Sequence, residues 1–306
     1  MLSAAEIHMP EINDMLSEQH VNSVWGMNIQ TTTPSAIAPT AQPLGGAYEF
    51  LAPIGPIAEN SIPISSADDL ARIGLDALFP PDGNFHLTQD IDLAGIVWNQ
   101  INLFNFGGDP SSGIFDGRGH IIRNLTITGD MDVIGERIGL FGTTLNATIK
   151  NVGLDGVYIN ISTSPWGSGH IGATVGHATN TEISNVFSSG VINISRGNAS
   201  PMHVSVGGIV GSSFNGSMEF VYNTSSIVVD TRASNVGGIA GGLSGEVSNA
   251  FNTGHIYVIA AADGNTFAGG LIGNAGDFDG TQFGSQFSIF NSYNAGDISE
   301  AVFKTS

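Results

Sequence analysis

Gly139-Leu-Phe-Gly142, Ala173-Thr-Val-Gly176, Gly208-Ile-Val-Gly211, Gly238-Ile-Ala-Gly241 and Gly270-Leu-Ile-Gly273 are five spellings of one four-residue word. The closing glycines Gly142, Gly176, Gly211, Gly241 and Gly273 are spaced 34, 35, 30 and 32 residues apart. A second phrase follows each word: Ile149-Lys-Asn-Val, Ile183-Ser-Asn-Val-Phe, Val247-Ser-Asn-Ala-Phe and Ile289-Phe-Asn-Ser-Tyr. Its asparagines are Asn151, Asn185, Asn249 and Asn291, and five residues after them stand Gly156, Gly190, Gly254 and Gly296. The third copy departs, with Phe220 at the Asn position and Ser225 at the Gly position. Self-similar units of this size stack into solenoids or arrays, each unit burying its apolar face on the next.

The apolar runs inside a unit are short and β-branched, such as Ile227-Val-Val229 and Ile256-Tyr-Val-Ile259, and Gly or Asn cuts them every few residues. That is strand with turn punctuation, and it leaves room for three strands per unit. Glycines at the corners supply positive φ or close backbone approach. Asparagines recurring once per unit would align on stacking and hydrogen-bond into a ladder that satisfies corner backbone. The pattern therefore predicts an all-β fold, a right-handed parallel β-helix, with one coil per unit and rungs about 4.8 Å apart. A propeller is the alternative, but units of this length are short for four-stranded blades.

Four segments divide the chain. Residues 1–30 form an N-terminal segment in which Ser3 and Glu6 read as a capping box interrupted by Pro10. Residues 31–63 hold six of the twelve prolines and read as a linker. Residues 64–138 are expected to form the solenoid cap and first coil, and residues 139–306 the five repeats. The cap contains a helix expected over 65–79, with Ser66 capping it, Leu70, Ile73 and Ala77 as its apolar stripe, and Pro80-Pro81 as its stop. Phe85, Leu87, Ile91 and Leu93 then alternate onto one face of a strand. Asp116-Gly-Arg-Gly119 is expected as a tight turn before a strand with Leu125 and Ile127 inward.

Asp90-Ile-Asp-Leu93, Phe115-Asp-Gly-Arg-Gly-His120 and Asn124-Leu-Thr-Ile127, followed by the five Gly-containing words, resemble the bacterial GLUG-repeat β-solenoids over about residues 65–300. The resemblance implies a large secreted or surface-attached protein with an adhesin-like role, and in some relatives a neighbouring metallopeptidase domain. It implies no shared catalytic residues.

Composition agrees with an exposed extracellular surface. Only 11% of residues are charged, the formal net charge is −19, and there is no cysteine. An acidic surface with eight Lys and Arg repels nucleic acid and anionic membranes. No run of 18 apolar residues marks a membrane span, and residues 1–20 are acidic rather than a secretory leader, so the chain is expected to be a fragment or exported without a standard leader.

The search for chemistry gives little. No histidine is followed by glutamate, no Gly-x-Ser-x-Gly occurs, and neither lysine follows a glycine. A glycosidase needs two carboxyls a few ångströms apart, which stacked repeats could supply, yet no acidic residue is read as recurring at one repeat position. The expectation is a chain that is not an enzyme, with no catalytic residue and no cofactor, binding a glycan or protein at a cell surface. The alternative is a carbohydrate-active β-helix, a polysaccharide lyase or glycoside hydrolase. The fifth copy carries an insertion, and its Asp277, Phe278, Asp279 and Phe283, with Phe287 just beyond, are the candidate partner-binding residues. Asp277 and Asp279 could also contribute to a Ca²⁺ site.

Overall fold

The computed structural model describes residues 50, 52–104, 113–163, 168–197, 203–276 and 286–303, and gives no side-chain surroundings at 232–233, 260–264 and 301–303. All strand pairs among these residues are parallel, and most strands pair with one about a unit earlier and one about a unit later. The chain is a parallel β-solenoid.

Its interior is a set of columns, one residue per coil. Phe85 pairs with Phe115, then Ile149, Ile183, Met218, Val247 and Ile289 follow in register. Ile127, Ile159, Ile192, Ile227, Ile256 and Ile298 make a second column. Ile161, Ile194, Val229, Val258 and Glu300 make a third. All but the last member of each column is buried. Period-two alternation inside each strand produces this, since a slip of one residue would turn every such side chain to solvent.

The closing glycines form a column of their own. A Cβ on Gly176 would lie 2.8 Å from the carbonyl oxygen of Gly142, one on Gly211 2.5 Å from that of Gly176, one on Gly241 2.7 Å from that of Gly211, and one on Gly273 2.8 Å from that of Gly241. None of the four has positive φ. Close approach of one coil's backbone to the next, rather than a left-handed turn, is what requires glycine there.

The left-handed positions belong to asparagine. Asn151, Asn185, Asn249 and Asn291 have φ between 46° and 57°, and Phe220 in the degenerate third copy takes the same conformation at 54°. Asn185 Nδ2 donates to Asn151 Oδ1 at 2.9 Å, Asn151 Nδ2 to Asp116 Oδ1 at 2.9 Å, and Asn291 Nδ2 to Asn249 Oδ1 at 2.5 Å. Phe220 interrupts this ladder, and there Asn249 Nδ2 donates to Glu219 Oε1 instead.

A second ladder runs inside the solenoid. Asn223 Nδ2 donates to Asn252 Oδ1, and Asn252 Nδ2 to Asn294 Oδ1, both at 2.8 Å, while Ser188 Oγ donates to Asn223 Oδ1 at 2.8 Å. Each asparagine also accepts from the amide two residues on and donates to that residue's carbonyl. These amides are therefore satisfied on both ends, as burial demands. Beside them Phe187, Tyr222, Phe251 and Tyr293 stack face to face with centroids 5.0, 4.7 and 5.5 Å apart. Gly153 lies beneath Phe187, where a Cβ would collide with its ring.

Helix α1, Ala67–Arg72, follows the first strand, Ile62–Ile64, and contributes Leu70 to the same core. Ser66 caps it, its Oγ accepting from the Asp69 amide at 3.1 Å. Leu70 and Ile73 are buried. The helix is shorter than the expected 65–79, because Gly74 takes φ 79° directly after the Ile73 cap, and Ala77 is left exposed. Phe85, Leu87, Ile91, Leu93, Leu125 and Ile127 are buried as the alternation predicts. Asp116-Gly-Arg-Gly119 is a bulge within the strand Ile114–Arg123: Asp116 pairs with Lys150 and His120 with Val152, so three residues face Asn151 alone. A one-turn helix α2, Met131–Ile134, was not anticipated.

Candidate functional site

One side of the solenoid is built by the strand segments that carry Ile149, Ile183, Met218, Val247 and Ile289. Because those five face inward, the residues before and after them face out. The residues before them form a column of Thr148, Glu182, Ser217, Glu246 and Ser288. The residues after them form a second column of Lys150, Ser184, Glu219, Ser248 and Phe290. Glu182, Glu219 and Glu246 are all exposed.

This overturns the expectation that no acidic residue recurs at one repeat position. Glu182 and Glu246 occupy the same position two rungs apart, with Ser217 between them. At about 4.8 Å per rung their backbones lie about 9.6 Å apart. Glu219 sits on the intermediate rung in the adjoining column. The signal was present in the chain: Glu182 and Glu246 each stand three residues before a repeat asparagine.

The rim is made by a turn. Asn146, Asn180 and Asn215 take φ between 47° and 51°, and Asn180 Nδ2 donates to Asn146 Oδ1 at 3.0 Å. Between Phe214 and Gly216 the register shifts, so that Gly216 pairs with Gly245 and the wall steps back. The result is a cleft of about 540 Å³ lined by Asn180, Glu182, Asn215, Ser217, Glu246, Phe287 and Ser288 among others. Two carboxylates, two amides, hydroxyls and one half-exposed aromatic ring converge there.

Of the residues anticipated for partner binding, Phe287 lies in this cleft, whereas Asp277, Phe278, Asp279 and Phe283 lie outside the described residues. The repeat glycines and asparagines are placed in the stacking columns given above, not in the cleft.

Other polar groups are engaged elsewhere. Partial desolvation pushes the Asp90 carboxyl up, but hydrogen bonds from Arg123, at 2.7 Å, and from the Ile121 amide outweigh it and hold the group below the usual carboxylate value. Asp92 accepts from Asn124 Nδ2 at 2.8 Å and from the Ala94 amide, which lowers it too. Ser212 Oγ bridges Nδ1 of His170 and Nδ1 of His177, whose rings lie 4.9 Å apart, but Ser212 is fully buried and out of a ligand's reach. Among the described residues, no three His, Asp or Glu converge as metal ligands, and no helix is long and apolar enough to cross a membrane.

No family model matches the sequence. No curated protein matches it either. Among solved structures, the chain is similar to a crystal structure described as a "putative immunoglobulin A1 protease from Bacteroides ovatus", with a TM-score of 0.54 and 21% identity over 78% of this chain and 67% of that one. A likeness at that identity carries the fold. It also overturns the expectation that this chain is not an enzyme, since the solved protein sharing the fold bears an enzyme's name and the solenoid is no ground for excluding catalysis.

Proposed function

We propose that the chain is the β-solenoid part of a secreted or surface-attached bacterial protein of the GLUG-repeat kind, and that it binds a neutral glycan in the Glu182–Glu246 cleft. The observation that carries this reading is the cleft itself: two carboxylates in one column, separated by Ser217 and faced by Asn180, Asn215 and Phe287. Carboxylate and amide groups accept and donate to sugar hydroxyls, and an aromatic ring offers an apolar face to the C–H side of a pyranose. The acidic lining and the net charge of −19 repel uronic or sulfated chains, so the ligand class is neutral or amino sugars.

A second reading has its own observation. Carboxyls about 6.5–9.5 Å apart flank the bond in inverting glycosidases, one as general acid and one as the base that activates water. The Glu182–Glu246 rung separation of about 9.6 Å, shortened or lengthened by side-chain rotamers, reaches that range. Incubation with a panel of neutral soluble polysaccharides tests both readings. Retarded migration in affinity electrophoresis without new reducing ends supports binding, and reducing ends that vanish in Glu182→Gln support hydrolysis. No interaction with any neutral polysaccharide contradicts the proposal.

A further inference from the structure

Asn215-Gly216 is the only Asn-Gly pair in the 306 residues, and it stands on the rim of the cleft. The corner it occupies recurs in two earlier coils. Asn146, Asn180 and Asn215 share a left-handed conformation, with φ of 51°, 47° and 51°. At the first two corners the next residue is buried, Ala147 or Thr181, and the Asn180 amide is tied to Asn146 Oδ1. At the third, no such bond continues from Asn180 to Asn215 among the described residues, and Asn215 is exposed. Its backbone is also released from the ladders. Pairing with the preceding coil stops at Phe214 and resumes at Ser217, and pairing with the following coil steps from Phe214 to Gly216. Packing requires the glycine, since a Cβ on residue 216 would stand 2.6 Å from the Thr181 carbonyl oxygen.

We propose that Asn215 is a self-modification site, at which the side-chain amide is converted to a carboxylate without an enzyme. The backbone nitrogen of Gly216 attacks Cγ of Asn215 and a C–N bond forms. The bond from Cγ to Nδ2 breaks, the Gly216 amide proton passes to solvent, and the side-chain nitrogen takes up a proton and leaves as ammonia. Water then opens the cyclic imide at either carbonyl, giving aspartate or isoaspartate at position 215. Glycine favours ring closure because no Cβ shields the attacking nitrogen, whereas Ala147 and Thr181 shield theirs. The product sets a third carboxylate beside Glu182 and Glu246 and removes the N–H donors of the amide. Binding of a neutral sugar in the cleft is thereby weakened, so the reaction gives the site a finite lifetime. That consequence rests on the reading of the cleft as a ligand site; the modification itself does not.

Peptide mapping by mass spectrometry tests the modification with no ligand present. The folded protein is held at neutral and at alkaline pH and sampled over weeks, with fragmentation that separates aspartate from isoaspartate. Residue 215 is expected to lose its amide while Asn146 and Asn180 keep theirs, and to lose it faster at alkaline pH, where the Gly216 nitrogen is more readily deprotonated. An intact amide at 215, or equal loss at all three corners, overturns the proposal. Asn215→Asp reproduces one product at once and keeps a residue that tolerates the left-handed conformation, so its circular dichroism spectrum is expected to be unchanged. Should it misfold, the aged protein, separated from the unreacted form by ion exchange, serves instead. Either form is expected to bind about ten-fold more weakly to the neutral polysaccharide that retards the unmodified protein, the effect of one lost hydrogen bond. Undiminished binding overturns the effect on the cleft. If no neutral polysaccharide binds the unmodified protein, the reading of the cleft fails, and the mapping alone decides the modification.

Discussion

Asn223 lies directly against Gly208, where a Cβ would stand 2.5 Å from the asparagine Nδ2. The same contact recurs between Gly238 and Asn252 and between Gly270 and Asn294, at 2.6 Å each. In these three copies the first glycine of the word is small because an internal asparagine packs on it, and at Gly208 and Gly238 the carbonyl oxygen of the next coil, 2.3 and 2.2 Å from such a Cβ, crowds it as well. The second copy fits the same rule. There Ala173 takes the place of Gly208 and the shorter Ser188 takes the place of Asn223. The alanine spelling of the word is therefore a paired exchange of size.

That pairing makes a coupled prediction. Gly208→Ala alone should overpack the corner and cost about 1–3 kcal/mol. Made in an Asn223→Ser background, which copies the second coil, it should cost at least about 1 kcal/mol less, a coupling of the size found for residues in contact. Urea denaturation of the four members of the cycle measures it. Strictly additive costs would show that the contact does not set the glycine.

Register can be tested by cross-linking, because the chain contains no cysteine. Ser217 and Glu246 are Cα partners on adjacent rungs, and a rung spacing of about 4.8 Å lies within the disulfide range. The pair Ser217→Cys with Glu246→Cys should oxidise to an intramolecular disulfide. Ser217→Cys with Val247→Cys should not, because residue 247 faces inward. A mobility shift on non-reducing gels and peptide mapping distinguish them, and the reverse pattern would mean a register shifted by one.

Acid should weaken the fold through His203. Burial pushes its imidazole below the ordinary value of 6.5, and the Asn235 side chain offsets part of that. The unfolded chain therefore takes up the proton first as pH falls. Stability from this group is complete above about 6.5 and is lost as pH drops from there through the lowered folded value. His86 is lowered by burial as well and adds in the same direction. Thermal melts between pH 7.5 and 5 should show a falling midpoint, with a shallower slope in His203→Gln. A slope identical to that of the unmodified protein would rule His203 out as the source.

Much of the architecture was legible because it depends on spacing. The closing glycines, the Asn phrases and the alternation at Phe85–Leu93 each translate directly into stacking, corners and an inward face. The internal ladder was harder to read. Asn223, Asn252 and Asn294 stand three residues after Phe220, Asn249 and Asn291, but the first two of the five copies place Leu154 and Ser188 there, so the asparagine recurs only from the third copy on. The cleft was missed for a related reason. Glu182 and Glu246 alternate with Thr148, Ser217 and Ser288, and only pairing shows that these five share a column. The helix α1 stops early because Gly74 takes a left-handed conformation that outweighs the apolar stripe continuing to Ala77.

The ligand site proposed above is the Glu182–Glu246 column. Isothermal titration with the neutral polysaccharide that shows the strongest retardation tests it most directly, comparing the unmodified protein with Glu182→Gln, Glu246→Gln and Tyr257→Ala, an exposed residue on a different strand column. Each glutamine variant is expected to lose at least ten-fold in affinity, while Tyr257→Ala binds as the unmodified protein does. Unchanged affinity in both glutamine variants, with loss in Tyr257→Ala, would contradict it and place binding on another face.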